Sequence, residues 1–266
     1  MPPALPPPIV LIALAKPSQP SRAAAKTFRR AIDATAAFFE ALEKKDSARA
    51  LALAKGPLDP NAKNDSGVAA LYGVVLEGNL SLARVLLERG ARPDGELGPM
   101  DIPQVPLLEA ARQEDPALLT LLLEKGADPQ KPGGFPRETA LHVAAEAGRM
   151  VHLELLLKRL PPEAVNAKDE EGLTPLHAAL RGDGDIGPMF RRLLELGADP
   201  SVVAKTCPMV WFALRGKHYP EAQWLLEHMS PEARKAFLVQ TFDEQRSALG
   251  WMAFTGRTEA VTLLLK

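Results

Sequence analysis

The stretch Asp169–Ser201 constrains the fold more than any other part of the chain. It contains a Thr-Pro-Leu-His box, two short apolar segments and a closing Gly-Ala-Asp-Pro. Thr174 is a typical helix N-cap residue, and Pro175 then stands at the first helical position, where its missing N–H costs nothing. Glycines separate the two apolar segments, and the second ends at Gly197, a residue type that commonly follows a helix. The stretch therefore predicts one unit of helix, turn, helix and loop.

The same unit recurs along most of the chain. The position of the leucine in the Thr-Pro-Leu-His box is filled by leucine or methionine in each copy: Leu71, Leu107, Leu141, Leu176, Met209 and Leu249. Successive members of this set are 36, 34, 35, 33 and 40 residues apart. A sustained period of this size is the sequence signature of a repeat architecture, so the chain is predicted to form a solenoid.

The unit resembles an ankyrin repeat. The Thr-Pro-Leu-His box, the leucine-rich second segment and the Gly-Ala-Asp-Pro ending follow in the order of that family and near its 33-residue spacing. The resemblance implies an all-α ankyrin-repeat solenoid of stacked helix-turn-helix units. It also implies that the box threonine caps its helix and that the box histidine, at His142 and His177, bonds the backbone of the next turn. These histidines are thus expected to be structural.

Three segments are predicted from composition and from this template. Residues 1–22 form a proline-rich leader, residues 23–57 a degenerate N-terminal capping repeat with one helix pair, and residues 58–266 six ankyrin-like repeats, the last two divergent. Ile9–Ala15 is a short apolar run that ends in a small-x-small motif of the kind signal peptidase accepts, yet no lysine or arginine precedes it. A cytoplasmic location and an exported or periplasmic one both stay open. The last repeat is either an irregular C-terminal cap or the end of an array cut short.

The composition argues against several classes of function. The 32 basic and 33 acidic residues give a net charge of −1, whereas binding to nucleic acid needs a basic face. A single cysteine, Cys207, excludes an intrachain disulfide and a multi-cysteine zinc site. No run of 18 apolar residues predicts a membrane span. We find no phosphate loop, HExxH or GxSxG motif, and we therefore predict no catalytic residue, cofactor or metal.

Function is then expected at the surface. In the ankyrin family the loop tips and first helices line a concave groove that usually binds another protein. The expected groove positions are mostly polar or small in the first four repeats, among them Arg112, Glu146 and Arg181. In the last two repeats they hold large apolar residues, a type that often anchors interfaces: Trp211, Leu214, Trp251 and Phe254. Asp169 and Glu170 add an acidic loop that would suit a basic partner.

Each of these surface assignments has an alternative. The aromatic side chains of the last two repeats could instead pack against the longer, partly helical connection Met229–Gln245, or against the leader. The acidic loop could simply be solvated. If these residues do face the groove, the sequence predicts a monomeric, non-catalytic module that binds one partner protein, as an inhibitor, an immunity-type factor or an adaptor. The alternative function is an exported or envelope-associated structural protein.

Overall fold

The computed structural model describes residues 22–56, 58–205, 207–242 and 246–265, and these form a row of helix pairs. The helices are α1 Arg22–Glu43, α2 Ser47–Lys55, α3 Ala70–Leu76, α4 Leu80–Glu88, α5 Pro106–Arg112, α6 Ala117–Glu124, α7 Ala140–Glu146, α8 Met150–Leu157, α9 Pro175–Ala179, α10 Gly187–Glu195, α11 Met209–Gly216, α12 Tyr219–His228, α13 Pro231–Val239, α14 Ala248–Phe254 and α15 Thr258–Leu265. Within these residues no helix is both long enough and apolar enough to cross a membrane. Apart from Arg22, the predicted leader lies outside the described residues.

Two short antiparallel hairpins connect helix pairs. In the first, β1 (Glu96–Leu97) pairs with β2 (Pro103–Gln104), between α4 and α5. In the second, β3 (Val203–Ala204) pairs with β4 (Cys207–Pro208), between α10 and α11. The corresponding connection between α6 and α7 closes with a single bridge from Gly133 to Glu138. These connections lie at the same point of successive repeats, and they position the surface described below.

The helix boundaries follow from local chemistry. Thr174 is the N-cap of α9 and Pro175 its first residue, as the sequence predicts. The second helices of three repeats end in the same way. Each is followed by a glycine with positive φ, and the amide of the residue after that glycine donates a hydrogen bond to a carbonyl in the helix. These glycines are Gly90, Gly126 and Gly197, and the returning bonds are Ala91 N to Leu86 O, Ala127 N to Leu122 O and Ala198 N to Leu193 O.

The helices form two layers with a continuous apolar core. First helices contact each other in sequence from α3 to α5, α7 and α9, while second helices stack behind them, as α2 does on α4 and α4 on α6. Equivalent leucines of successive second helices are fully buried: Leu86, Leu122, Leu156 and Leu193. Because each of these leucines is buried only when neighbouring pairs are in place, the array is stabilised by contacts between repeats. The predicted all-α architecture of stacked helix pairs is confirmed.

Side chains also join successive helix pairs by what we call cross-repeat hydrogen bonds. In each, a side chain of a later pair donates to a backbone carbonyl at or near the end of a helix in the preceding pair. Such carbonyls have no partner within their own helix. The bonds run from Arg89 to Ala54, Gln113 to Val75, Arg149 to Arg112, Arg159 to Leu123, His218 to Gly182 and Arg257 to Leu214.

Candidate functional site

Connections between repeats join into one surface, which we call the hairpin ledge. It comprises residues 96–104, 133–138, 169–173, 203–205 and 207–208. Gly134 N donates to Pro103 O at 3.0 Å, and Glu170 N donates to Pro136 O at 3.0 Å. Lys205 Nζ then lies 2.5 Å from Glu171 Oε1. Backbone and ionic contacts therefore hold the successive connections together as a continuous strip.

Large apolar side chains on this ledge face solvent. Met100 is 86% exposed and Phe135 is 81% exposed, and Leu97 and Val203 are exposed as well. Single exposed apolar residues are ordinary on proteins, but a row of them on one strip is typical of an interaction surface. Sequence analysis missed these residues, because the repeat template covers the helices and not the connections. The available signal was the pair of turn motifs Gly-Pro at 98–99 and Gly-Gly-Phe-Pro at 133–136, which place an apolar residue inside an exposed turn.

The backbone of the ledge is held in uncommon conformations. Six non-glycine residues in the described part of the chain have positive φ, and four of them lie on the ledge: Met100, Asp101, Arg137 and Lys205. Such residues persist only where the surroundings fix them, and they concentrate at functional surfaces. Gly95 shows how tight the first hairpin is, since a Cβ there would lie 1.8 Å from Gln104 O. The ledge is therefore a shaped, preorganised surface.

A groove of about 730 Å³ lies between the C-terminal half of the ledge and the ends of α9 and α11. Phe135 forms one edge of it, and Leu173, Leu180 and Phe212 supply further apolar surface. The charged side chains of its lining are Glu171, Arg181, Lys205 and Arg215. It is an apolar cleft with a charged rim, the usual composition of a binding site on a protein.

Beside this groove, two of the three polar residues predicted for the first repeats form an ion pair with each other next to the carboxylate of Glu138. Arg181 lies 3.5 Å from Glu138 Oε1 and 3.2 Å from Glu146 Oε1. Burial raises the pKa of the Glu138 carboxyl, the charge of Glu146 raises it further, and the Arg181 guanidinium opposes both. The charge of Arg112 also acts on Glu138, in the same direction as that of Arg181. The structure thus brings Glu146 and Arg181 into one polar cluster at Glu138, on which Arg112 acts only through its charge.

The predicted acidic loop is only partly a surface feature. Asp169 is buried, and its Oδ1 accepts bonds from the amides of Glu171 and Leu173, each at 2.8 Å. The expectation that Asp169 faces a partner is wrong, because its carboxylate closes the loop on which it lies. Glu170 is exposed and lies 3.5 Å from Arg137 Nε.

Two of the four apolar residues predicted to face the groove lie in the core instead. Trp211 is 3% exposed and Leu214 is fully buried. The Trp211 ring stacks on Phe242 at a centroid distance of 4.1 Å, and it contacts Trp251 edge-on at 5.2 Å. The prediction of an outward-facing Trp211 and Leu214 is therefore wrong. For Trp211 the alternative interpretation, packing against the Met229–Gln245 connection, is correct.

The other two residues differ from each other. Trp251 is half-buried, with the Arg257 guanidinium 4.9 Å from its ring centroid. Phe254 is 70% exposed, and Arg246 covers one face of its ring at 4.1 Å. Only Phe254 therefore offers a large exposed apolar surface of the kind that the sequence predicted for this end of the array.

The box histidines are structural. His142 Nδ1 accepts a bond from Thr139 N at 3.3 Å, while its Nε2 donates to Leu173 O at 3.1 Å, across the turn to the next repeat. Thr174 N donates to His177 Nδ1 at 3.2 Å, and the His177 ring contacts Phe212 edge-on. Burial lowers the pKa of His177 to about 4, so that the ring is neutral near pH 7. The His142 ring therefore joins two turns, as expected. His177 Nε2 has no hydrogen-bond partner among the described residues, so its expected bond to the next turn is not seen, and its ring is held by the start of its own helix and by Phe212.

Residues 107–204 match the model of the family described as "Ankyrin repeats (3 copies)". The chain is 31% identical over 161 residues to ankyrin repeat protein nuc-2 of Neurospora crassa, which covers 59% of this chain and 14% of that protein. It is 40% identical over 96 residues to neurogenic locus notch homolog protein 4 of Homo sapiens, which covers 36% of this chain and 5% of that protein. The chain thus spans a small part of these curated relatives.

Two solved structures share the fold. One belongs to the complex of the Bd0816 predatory endopeptidase of Bdellovibrio bacteriovorus with immunity protein Bd3460, with a TM-score of 0.62 and 22% identity over 73% of this chain and 98% of the matched chain. The other is the human ASB11 ankyrin repeat domain, with a TM-score of 0.64 and 21% identity over 86% of this chain and 96% of that domain. At this level of identity the likeness concerns the fold alone.

Proposed function

Given that residues 107–204 are ankyrin repeats within an ankyrin-type solenoid, we propose that this chain is a non-catalytic module that binds one partner protein along its hairpin ledge and groove. Ankyrin repeats bind other proteins, and the family that matches is one of interaction modules rather than enzymes. To this general property we add the place where the partner binds, the hairpin ledge and its groove.

The observation that carries the proposal is the row of exposed apolar side chains on the ledge. Met100 and Phe135 expose most of their surface at neighbouring turns that are joined through the bond from Gly134 N to Pro103 O. Burying such side chains on a partner contributes about 1.5–3 kcal/mol each. Because the ledge is preorganised, little of that free energy is lost in ordering it.

A double variant, Met100→Ser with Phe135→Ser, tests the proposal. The tagged full chain is used to capture partners from a lysate of its source, with quantitative mass spectrometry as readout. We expect the wild-type chain to retain a defined partner and the double variant to lose it, because both anchors are gone. Val151→Ser is the matched control, since Val151 is exposed on α8, away from the ledge.

The outcomes are separable. Both changed residues are exposed, so circular dichroism should show the same helical content in the double variant as in the wild type. A partner retained equally by the double variant and by the wild type would overturn the proposed location. Failure of the wild-type chain to retain any protein would overturn the binding function itself.

The biological role within this function is a finer proposal. We propose an inhibitor or immunity-type role ahead of an adaptor role, with motivation from the fold shared with the endopeptidase and immunity protein complex. If the captured partner is a hydrolase, its turnover in the presence of a stoichiometric amount of this chain distinguishes the two. An inhibitor suppresses turnover, whereas an adaptor leaves it unchanged.

Cellular location stays a prediction, either cytoplasmic or exported to the envelope. The apolar run Ile9–Ala15, on which export depends, lies outside the described residues. N-terminal sequencing of the mature chain separates the two, since an exported chain loses this run and a cytoplasmic one keeps it.

A further inference from the structure

The groove at the C-terminal half of the ledge carries more positive than negative charge. Three cationic side chains line it, Arg181, Lys205 and Arg215, against one carboxylate, Glu171. Lys205 pairs with Glu171, and Arg181 is shared between two carboxylates of the neighbouring polar cluster. Two of the three cations are therefore already compensated by carboxylates of this chain.

Arg215 differs from the other two cations. It is exposed in the last turn of α11 and forms no ion pair with any residue in the described part of the chain. It lines the same groove as the aromatic residues Phe135 and Phe212. A planar guanidinium beside apolar surface is well suited to a bidentate bond with a carboxylate.

The opposite end of the array has the reverse charge. A cavity of about 640 Å³ lies between α1 and the loop that precedes α3. Its lining holds four carboxylates, Glu40, Glu43, Asp59 and Asp65, and one cation, Lys63, which pairs with Glu96. Glu40 pairs with Lys44 and Arg49, so three of the four carboxylates have no ion pair among the described residues. A bond from Lys63 Nζ to Leu97 O at 2.8 Å connects this cavity to the first hairpin of the ledge. The charge along the binding surface is therefore polarised from acidic at the N-terminal end to basic at the C-terminal end.

We infer that the groove binds a partner segment that places an acidic side chain next to an aliphatic or aromatic one. This inference rests on the proposed function and names the chemistry of the partner. The partner's carboxylate bonds Arg215, with Lys205 contributing attraction, and its apolar side chain packs between Phe135 and Phe212. Repulsion from the acidic N-terminal cavity disfavours the same segment there, which fixes where it docks.

Selection from a random peptide library displayed on phage tests this inference with the full chain as target. We expect the enriched peptides to carry Asp or Glu within two positions of Phe, Leu or Ile. Their affinity is then measured by fluorescence anisotropy on labelled synthetic copies. Arg215→Glu should weaken binding at least tenfold, and the affinity should fall as salt is added, because the contact is ionic.

Two further variants make the readout specific. Arg191→Glu changes the net charge by the same amount on the exposed face of α10, and it should leave the affinity within twofold of the wild type. Phe135→Ser removes the apolar contact from an exposed position and should weaken binding without any change in charge. Melting curves of all three variants, which change exposed residues, should coincide with that of the wild type.

Failure of this inference is distinct from failure of the proposed function. Enriched peptides that are neutral or basic, or that bind Arg215→Glu as well as the wild type, would overturn the acidic-apolar chemistry while leaving a protein-binding ledge intact. A selection in which the wild-type chain enriches no peptide would overturn this inference, while the capture of a partner protein decides the proposed function separately.

Discussion

At the scale of single residues, the position of a polar side chain in the repeat decides whether it bonds within the fold or is available to bind a partner. His142 and His177 have the residue type expected of catalysts, but their ring nitrogens accept from backbone amides at the start of their helices. Glu138 and Glu146 lie beside the groove, and each forms an ion pair with Arg181. Arg215 lies in the same groove and has no such partner among the described residues, so that it is the residue free to bind.

The pH dependence of stability should report His177. Its pKa is about 4 in the folded chain and 6.5 in the reference state, so between these values the unfolded chain binds more protons. The free energy of unfolding should therefore fall as pH drops through this window, by up to about 3 kcal/mol from this residue. Urea denaturation at pH 7 and at pH 4.5 measures the change.

The variant His177→Gln should reduce that pH slope, because glutamine accepts a hydrogen bond but does not titrate. Val239→Ala, at an exposed position on α13, removes no titrating group, so it is the control and should keep the wild-type slope. An equal slope in His177→Gln and the wild type would show that the pH dependence arises elsewhere.

At the scale of elements, helix α13 sets what the end of the array exposes. Its Phe237 is fully buried and contacts Phe242, which in turn stacks on Trp211. The helix and the residues after it thus cover a surface that the regular repeats leave open. This is why the C-terminal repeats lack the aromatic groove that their sequence suggests.

Removal of the Phe237 ring should expose the surface that α13 covers. Phe237→Ala is expected to cost about 3–5 kcal/mol of unfolding free energy, as for other fully buried aromatic residues. Because Trp211 then meets water, its fluorescence should shift to longer wavelength. Val239→Ala, at an exposed position on the same helix, should change neither quantity. An unshifted emission in Phe237→Ala would mean that Trp211 is covered by other residues.

The elements also show which features of the fold could be predicted from the sequence. The boundaries set by Thr174, Pro175 and Gly197 follow from the backbone chemistry of those residues alone, and they were predicted correctly. The burial of Trp211 was not predicted, because its position was assigned from the regular repeat. Helix α13 is an additional element that the regular repeat does not contain. The exposure of Met100 and Phe135 was missed for a related reason, since the connections vary in length and only contacts between neighbouring turns place them.

At the scale of the whole molecule, the cross-repeat hydrogen bonds couple each helix pair to the one before it. Arg257 Nη1 donates to Leu214 O at 2.8 Å and also to Arg215 O, so that one side chain ties the last repeat to α11. A hydrogen bond from a charged donor contributes about 1.5–3 kcal/mol. The coupling is local, because each pair contacts only its neighbours.

Arg257→Met should uncouple the last repeat selectively, since methionine keeps most of the apolar stem and removes the donor. We expect amide hydrogen exchange in α14 and α15 to accelerate about 10- to 100-fold, while α7 to α10 keep their protection. Arg84→Met, at an exposed site on α4, should leave every helix unchanged. Uniform acceleration along the chain in Arg257→Met would indicate a globally cooperative molecule instead.

The six cross-repeat bonds to helix ends run from a later donor to an earlier acceptor, whereas the bonds between loops from His142 to Leu173 and from Lys63 to Leu97 run the other way. A chain leaving the ribosome presents its N-terminal part first. Each new segment therefore meets acceptors that are already in place, while the donors that complete it are still to be translated. At the helix ends, the order in which these bonds can form therefore follows the direction of synthesis, and only the most recently made helix pair lacks its donor.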